Sequence, residues 1–492
     1  MNAIRDNWAS AAQTRSAMLI GGDWVQAASG ETFRCVDPYT ETEWGEVPRA
    51  GAEDVDRAVR AAHNAFEGWS RTPPARRAAL LRRFGELVEA NVDRIAATQV
   101  RENGKLLAEM MGGTRSLAAD CAFYGALGET VHGYTVQPSF PNHVAYTRRE
   151  PIGVIAAITP WNSPITLLGW KLLPALAAGN TIVIKPSEVT PTSTLILGEL
   201  IEQAGFPPGV VNIVTGFGRG AGDALVAHPL VDKIAFTGST ATGTAIAKVA
   251  AERHARVSLE LGGKSPNIVF DDADLEAAVT GIEAGIFAAT GQACNAGSRV
   301  LVQAGVYDHI AGQLAERART IRAGDPLDPD TELGPLASRA QLDKVTAYFH
   351  VGRTEGFACL AGGERLDRPG FFVAPTVFDR VDNDSRLARE EIFGPVASLI
   401  RFETEEQAIA IANETAFGLA SGVWTRDLGR AHRMIERIRA GVVWVNTYRM
   451  GGHAIPFGGM KASGIGREMG INALDQYTEV KSVWINTGET RG

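Results

Sequence analysis

Cys294 is the most reactive residue type the chain places in a distinctive setting, within Gly291-Gln292-Ala293-Cys294-Asn295-Ala296-Gly297-Ser298-Arg299. The small residues on both sides suit a thiol on the floor of a tunnel, where backbone and ligand approach closely. A thiolate is a strong nucleophile at neutral pH once its pKa is lowered, whereas a lone cysteine without partners is an ordinary core residue. A second candidate lies in Ser258-Leu259-Glu260-Leu261-Gly262-Gly263-Lys264. Glu260 ends an apolar run beside two glycines, where a carboxylate has room to change position, as a general base for water requires. The alternative is a salt-bridged surface carboxylate. A third is Thr159-Pro160-Trp161-Asn162-Ser163-Pro164, where Asn162 can offer its side-chain N–H to a developing oxyanion or cap the helix that follows.

Two further segments have the form of a nucleotide site. Lys185-Pro186-Ser187-Glu188 closes one apolar run, and Phe236-Thr237-Gly238-Ser239-Thr240-Ala241-Thr242-Gly243 passes from a strand into a helix. Gly238 permits a tight turn, and the helix start after it can receive a phosphate. Gly216-Phe217-Gly218-Arg219-Gly220-Ala221 matches the dinucleotide fingerprint, but no acidic residue follows about twenty positions later, as that fingerprint expects. The phenylalanines of Glu390-Glu391-Ile392-Phe393-Gly394-Pro395 and of Pro456-Phe457-Gly458-Gly459-Met460-Lys461-Ala462-Ser463-Gly464 are either core anchors or walls against a flat cofactor or a substrate channel.

These residues need a scaffold, and the alternation of the chain predicts one. Strands are expected at Val154–Ile158, Thr181–Lys185, Val210–Val214, Lys233–Thr237 and Val257–Leu261, with helices near Ile165–Ala178, Ser193–Ala204, Ala221–Ala227 and Thr242–His254. This is the pattern of βαβ units in a parallel sheet, whose strand ends bind ligands. The helical periodicity of Ala52–Trp69 and Ala75–Asn91 predicts that they cover this sheet. A second alternating region runs from Asp271 to Gly441, with strands such as Arg299–Val302 and Val442–Asn446. Tyr134–Arg149 reads as a β-hairpin and Tyr477–Ile485 as a late strand. Exposed strand edges are association hazards unless paired, so both are expected to serve subunit contact.

Bulk properties narrow the class. The 492 residues exceed one core and predict two or three domains. With 45% hydrophobic and 21% charged residues the composition is that of a globular protein. A net charge of -8 argues against a nucleic-acid partner. The four cysteines, Cys35, Cys121, Cys294 and Cys359, show no paired spacing, so neither a disulfide framework nor a metal site is expected and a cytoplasmic setting is. The N-terminal segment, with Arg5, Asp6 and Arg15 and no long apolar stretch, predicts neither a secretory signal nor a membrane span.

Taken together, the motifs around Asn162, Glu260 and Cys294, in that order and with the cofactor segments between and after them, resemble the aldehyde dehydrogenase superfamily over essentially the whole chain. The resemblance implies an α/β fold with two doubly wound parallel domains and a β-rich oligomerisation arm. Its boundaries fall at 1–127 and 149–261 for the NAD-binding domain, 262–470 for the catalytic domain, and 128–148 and 471–492 for the arm. It implies a homodimer or homotetramer. By motif, Cys294 is the nucleophile and Glu260 the base, while Asn162 and the Cys294 backbone N–H form the oxyanion pair. Lys185 and Glu188 meet the adenosine ribose, Ser239 the pyrophosphate and Glu391 the nicotinamide ribose, with Phe393 beside the nicotinamide. Thr159, Pro160, Trp161, Ser187 and Gly238 complete the cofactor contacts, with Gly218 towards the adenine. The cofactor is NAD in preference to NADP, because a 2′-phosphate would meet the like charge of Glu188. The expected product is a free acid. A CoA-acylating relative generally lacks the base that Glu260 supplies, and an idle homologue would have lost one of the three central residues.

The substrate mouth departs from the family pattern. Ser163 stands where an aromatic residue is common, Asn295 follows the nucleophile, and Tyr448-Arg449-Met450-Gly451-Gly452-His453 is glycine-rich. Ser163, Leu167, Trp170, Ala293, Asn295, Arg449 and Phe457 are the expected tunnel residues, with Trp170 and Phe457 keeping an aromatic wall. A wider, more polar mouth follows. Arg449 either holds a carboxylate or carbonyl at the far end of a semialdehyde or polar aromatic aldehyde, or faces solvent or a neighbouring subunit.

Overall fold

The computed structural model describes residues 16–488. Arg5, Asp6 and Arg15, and the outermost parts of the expected first domain and of the arm, lie outside the described residues. Among the described residues no helix is long and apolar enough to cross a membrane.

Five short apolar runs build the first sheet, and their composition explains their placement. Val154–Ile158, Thr181–Lys185, Val211–Ile213, Lys233–Thr237 and Arg256–Glu260 are buried on both faces over most of their length, as parallel strands covered by helices must be. Their spatial order is 256–260, 233–237, 154–158, 181–185, 211–213, extended by Met18–Ile20 and Asp23–Val25 at one edge and Gly464–Ile465 at the other. The chain therefore starts in the middle, winds outward one way, then returns and winds the other way. The reversal falls between Val154–Ile158 and Lys233–Thr237, which pair in parallel. Loops leaving these two strands diverge to opposite faces and open a crevice at the carboxyl ends, where ligands bind in such sheets.

Helices fill both faces. Leu168, Leu172 and Leu176 of the Pro164–Ala178 helix pack with Ile155, Ile182 and Ile184 on one side, and Val55, Ala58 and Val59 of Ala52–Ser70 pack with Val154 and Val183 on the other. Each fully buried Leu or Ile here contributes ~1.5–3 kcal/mol. The Pro74–Ala90 helix does not cover the sheet directly, as its periodicity predicted. It packs instead on Leu107–Gly128 and Thr192–Ala204, one layer out. Periodicity marks a buried face but does not say which layer buries it.

The second sheet has seven strands, ordered Ala358–Ala361, Thr376–Asp379, Val396–Phe402, Arg299–Gln303, Pro266–Val269, Ala420–Trp424 and Val442–Val445, all parallel except the first pair. The two expected outlying strands find each other. Thr478–Asn486 pairs antiparallel along the whole of His143–Pro151, and Thr135–Val136 closes the hairpin. Gly464–Ile465 joins the first sheet by pairing with Leu259 and Glu260, so the chain that follows the second sheet is fastened to the strand that carries Glu260.

Candidate functional site

Cys294 lies between the two sheets on an irregular loop, and the loop's shape comes from three successive left-handed residues, Ala289, Thr290 and Gly291, with φ of 56°, 54° and 66°. Such geometry costs about 1–3 kcal/mol at a non-glycine position and persists only where surrounding structure enforces it. Here Gln292 supplies part of that structure: its side-chain oxygen accepts from the Ala337 N–H at 3.0 Å. A Cβ at Gly291 would fall 2.1 Å from the Gly394 carbonyl oxygen, so glycine lets the Cys294 loop lie against the segment bearing Glu391 and Phe393.

The two glycines after Glu260 do the same from the other side. A Cβ on Gly262 would stand 2.5 Å from Glu391 Oε2, and one on Gly263 would stand 2.4 Å from the Cys294 carbonyl oxygen. The Gly263 N–H donates to Glu391 Oε1 at 2.9 Å. These glycines are therefore what allows Glu260, Cys294 and Glu391 to share one pocket.

That pocket, about 170 Å³, is lined by Pro160, Trp161, Asn162, Leu167, Gly238, Ser239, Glu260, Cys294, Glu391 and Phe393, among others. Asn162 does not cap the following helix. Its Nδ2 donates to the Gln292 carbonyl oxygen at 3.0 Å, which orients the amide at the wall of the pocket and leaves one amide N–H uncommitted. Ser163 occupies the cap position but makes no capping hydrogen bond; its hydroxyl accepts from Lys105 Nζ at 3.2 Å. The Trp161 and Phe393 rings meet edge to face at 5.3 Å, closing one wall.

Burial raises both the Cys294 thiol and the Glu260 carboxyl. Burial is the main cause that pushes the Cys294 thiol up, followed by the nearby Glu260 and Glu391 carboxylates; the Asn295 N–H and the Arg449 charge pull the other way. Glu260 is raised well above the ordinary carboxylate value, first by burial and then by Glu468, with Lys171 and Arg467 opposing. Its Oε1 has no hydrogen-bond partner, the condition of a carboxyl placed to meet water or substrate. Behind it, Lys171 Nζ donates to Thr237 Oγ1 at 2.6 Å and forms an ion pair with Glu468. Lys171 and Glu468 were not singled out from sequence. The detectable signal was Lys171 itself, a lone charge in the otherwise apolar Pro164–Ala178 helix.

A second cleft of about 660 Å³ shares Pro160, Trp161, Gly238 and Ser239 with the pocket and continues past Thr159, Lys185, Ser187, Glu188 and Gly218. It is the crevice of the topological reversal. Ser239 caps the Thr240–Glu252 helix by accepting from the Thr242 N–H, and that helix start lines the cleft, a favourable place for a phosphate. Lys185, itself buried, lies 3.7 Å from the half-exposed Glu188 carboxylate. Thr159 Oγ1 is buried without a partner. Charged, hydroxyl and glycine positions thus fit an elongated dinucleotide. Gln341 and Lys344 also line the catalytic pocket beside Glu391; they come from the Arg339–Thr354 helix, which carries no local motif.

The expected tunnel residues divide. Leu167 lines the pocket, and the Trp170 and Phe457 rings lie 5.3 Å apart. Ala293 packs in the core of the second domain with Phe287 and Ile286. Asn295 accepts through its carbonyl from the Tyr448 hydroxyl at 3.0 Å. Arg449, left-handed at φ 61°, donates to the Ala284 carbonyl at 3.2 Å.

Comparison with known proteins agrees with this geometry. Residues 24–483 match the aldehyde dehydrogenase family. The chain is 42% identical over 474 residues to an aldehyde dehydrogenase of Emericella nidulans, covering 96% of this chain and 95% of the relative. An aldehyde dehydrogenase of Aspergillus niger is 44% identical over the same shares. The betaine aldehyde dehydrogenase of Staphylococcus aureus, solved with NAD+, superimposes with a TM-score of 0.98 at 36% identity, over 100% of this chain and 99% of that one. The aldehyde dehydrogenase of Bacillus cereus in its NAD+ complex gives 0.96 at 43% identity, over 98% of each. With a thiol, a carboxyl and an amide converging beside a dinucleotide-shaped cleft, and with similarity along nearly its whole length, the chain belongs to the aldehyde dehydrogenase family.

Proposed function

We propose that this protein oxidises an aldehyde to the free carboxylic acid with NAD, through a thioester on Cys294 that water hydrolyses under general-base catalysis by Glu260. The observation that carries the reading is the shared pocket of Cys294, Glu260 and Asn162 opening into the switch-point cleft. Lys185 and Glu188 would hold the adenosine ribose, Ser239 the pyrophosphate and Glu391 the nicotinamide ribose, with Phe393 beside the ring. NAD, when bound, supplies the hydride acceptor.

The chain's own residues do the rest. The Cys294 thiol gives up its proton to water, the resulting thiolate adds to the aldehyde carbon, and the new oxyanion accepts hydrogen bonds from Asn162 Nδ2 and the Cys294 N–H. Loss of the hydride from that carbon leaves a thioester. Glu260 then takes a proton from water, whose oxygen attacks the thioester and expels the thiolate. Removing one oxyanion donor typically costs roughly a hundred- to a thousand-fold in rate. Burial is the main cause that raises the Glu260 pKa; Glu468 adds to the rise and Lys171 opposes it, so this pair adjusts the pH at which the base is ready.

The units at 1–127 with 149–261, at 262–470, and at 128–148 with 471–492 serve cofactor, catalysis and assembly. Support for assembly is the exposed apolar set Val136, Phe140, Val144, Val480, Trp484 and Ile485 on or beside the small sheet, which suits a homodimer or homotetramer; light scattering checks it. Four free cysteines suit a reducing cytoplasm. The test of the reaction is product analysis by mass spectrometry after incubation with aldehyde and NAD, with and without CoA. Free acid and NADH are expected in both; accumulation of acyl-CoA would sink the hydrolytic reading.

A further inference from the structure

The glycine-rich turn Gly216-Phe217-Gly218-Arg219-Gly220-Ala221 carries a cation that the reaction derived above does not use. Its backbone is broken in the middle. Arg219 has φ of -73° and ψ of 129°, and Gly220 has φ of 98° and ψ of -93°, a conformation that favours glycine. The break presents Arg219 on the outside of the turn, where it is exposed and lines the cleft of about 660 Å³ with Lys185, Ser187 and Glu188. A Cβ on Gly218 or Gly220 would meet nothing within 4 Å, so both chain neighbours of Arg219 leave space beside it. The same turn packs on the cation placed at the adenosine ribose. A Cβ on Gly222 would stand 3.8 Å from both Lys185 Cδ and Cε.

The charges at this end of the cleft are unequally committed. Lys185 is buried, its Nζ donates to the Pro186 carbonyl at 3.0 Å, and it lies 3.7 Å from the Glu188 carboxylate. Glu188 therefore already has its counter-charge. Asp223 also lines the cleft, yet the Arg219 side chain forms no ion pair with it or with any other of the described residues. A guanidinium keeps its charge at every working pH and offers a planar fork of N–H groups that matches phosphate. Only one position on the adenosine ribose separates the two nicotinamide dinucleotides, the 2′-oxygen, which carries hydrogen in NAD and phosphate in NADP.

From this geometry we infer that Arg219 is a cofactor-specificity residue, which receives the 2′-phosphate of NADP and gives the protein a second, weaker cofactor beside NAD. The inference rests on the adenosine placement proposed above and deepens it. Glu188 opposes the phosphate by like charge, and Arg219 offsets that repulsion from the neighbouring turn. NAD offers no anion at that position.

Calorimetric titration of the full chain with NAD and with NADP, which differ only in the 2′-phosphate, reads this contact without turnover. Wild type should bind NADP measurably and more weakly than NAD. Arg219→Gln should lower NADP affinity relative to NAD on the order of tenfold, and Arg219→Lys should keep part of the difference. Added salt should weaken NADP more than NAD in wild type, and less selectively in Arg219→Gln. With butanal as substrate, kcat/KM for the two cofactors should follow the same ratio, mainly through KM. No NADP binding by wild type, an unchanged ratio, or equal weakening of both cofactors overturns the inference; the last would assign Arg219 to the adenine or to the shape of the turn. Failure of the thioester mechanism reads differently: no aldehyde would then yield NADH in a Cys294-dependent way, whatever the ratio of the two affinities.

Discussion

The two halves of the site are built in opposite ways. The proposed cofactor half stands on strand ends: Thr159 to Trp161 follow one strand, Lys185 to Glu188 the next, and Gly238 and Ser239 a third. Its catalytic end gathers carboxyls, Glu260, Glu391 and behind them Glu468. The proposed aldehyde half stands on loops and helix ends, at Lys105, Ser163 and the Tyr448–Arg449 turn, where Glu109 lies among the cations. A sheet positions groups through backbone ladders that tolerate few alternatives. Loops change side chain without disturbing the ladder, so the other half is where this chain differs from the family pattern.

That contrast predicts separable defects. The largest follows from Cys294→Ala, which should reduce turnover on the order of 10⁴-fold or more while leaving NAD binding, measured by calorimetry, close to wild type. Loss of NAD affinity by a similar factor would mean that the two halves are not separate. Next comes Glu260→Gln. Rapid mixing should show a burst of NADH matching the enzyme sites, then steady turnover slowed roughly a hundred-fold or more. Absence of the burst would assign Glu260 a part in activating the thiol.

A smaller effect tests the carboxyl cluster itself. Glu260 must be deprotonated to act, and its pKa lies above the ordinary 4.5, so turnover limited by deacylation should fall as pH drops through that raised value. Glu468 contributes to the rise, and Glu468→Gln should therefore move the acid limb of the kcat profile to lower pH, with Lys171→Met moving it up. Unmoved limbs would remove this pair from the base's electrostatics. The smallest effect is expected from Glu188→Gln, which relieves like-charge repulsion at an exposed position and should improve NADP relative to NAD by about tenfold or less. A wild-type kcat/KM higher with NADP would contradict the role given to Glu188.

Much of the cofactor half was legible because its residues sit inside contiguous motifs attached to strands that alternation reveals. Cys294, Glu260 and Asn162 were each ambiguous singly, as core thiol, surface carboxylate and helix cap, and became informative only as a set. Other parts escaped. Lys105, in Asn103-Gly104-Lys105, carries no motif in the sequence, and the left-handed turn at Gly104 places it in the interior. Gln341 and Lys344 lie on a helix whose pattern describes its buried face and not what its other face meets. The Pro74–Ala90 helix was assigned to the sheet because amphipathicity specifies that a face is covered, not by which element.

What the linear chain determines by itself is local: which runs are buried strands, which turns need glycine, and which residues have the chemistry for addition, hydrolysis and dinucleotide contact. Apolar periodicity and side-chain chemistry are properties of neighbours in sequence, so they survive without a fold. What the tertiary structure alone decided is proximity between distant segments. It placed Gly291 against Gly394, Glu468 behind Glu260, and Lys105 on Ser163. The strength of a charge depends on burial and on what lies a few ångströms away, and neither is written in the order of the residues.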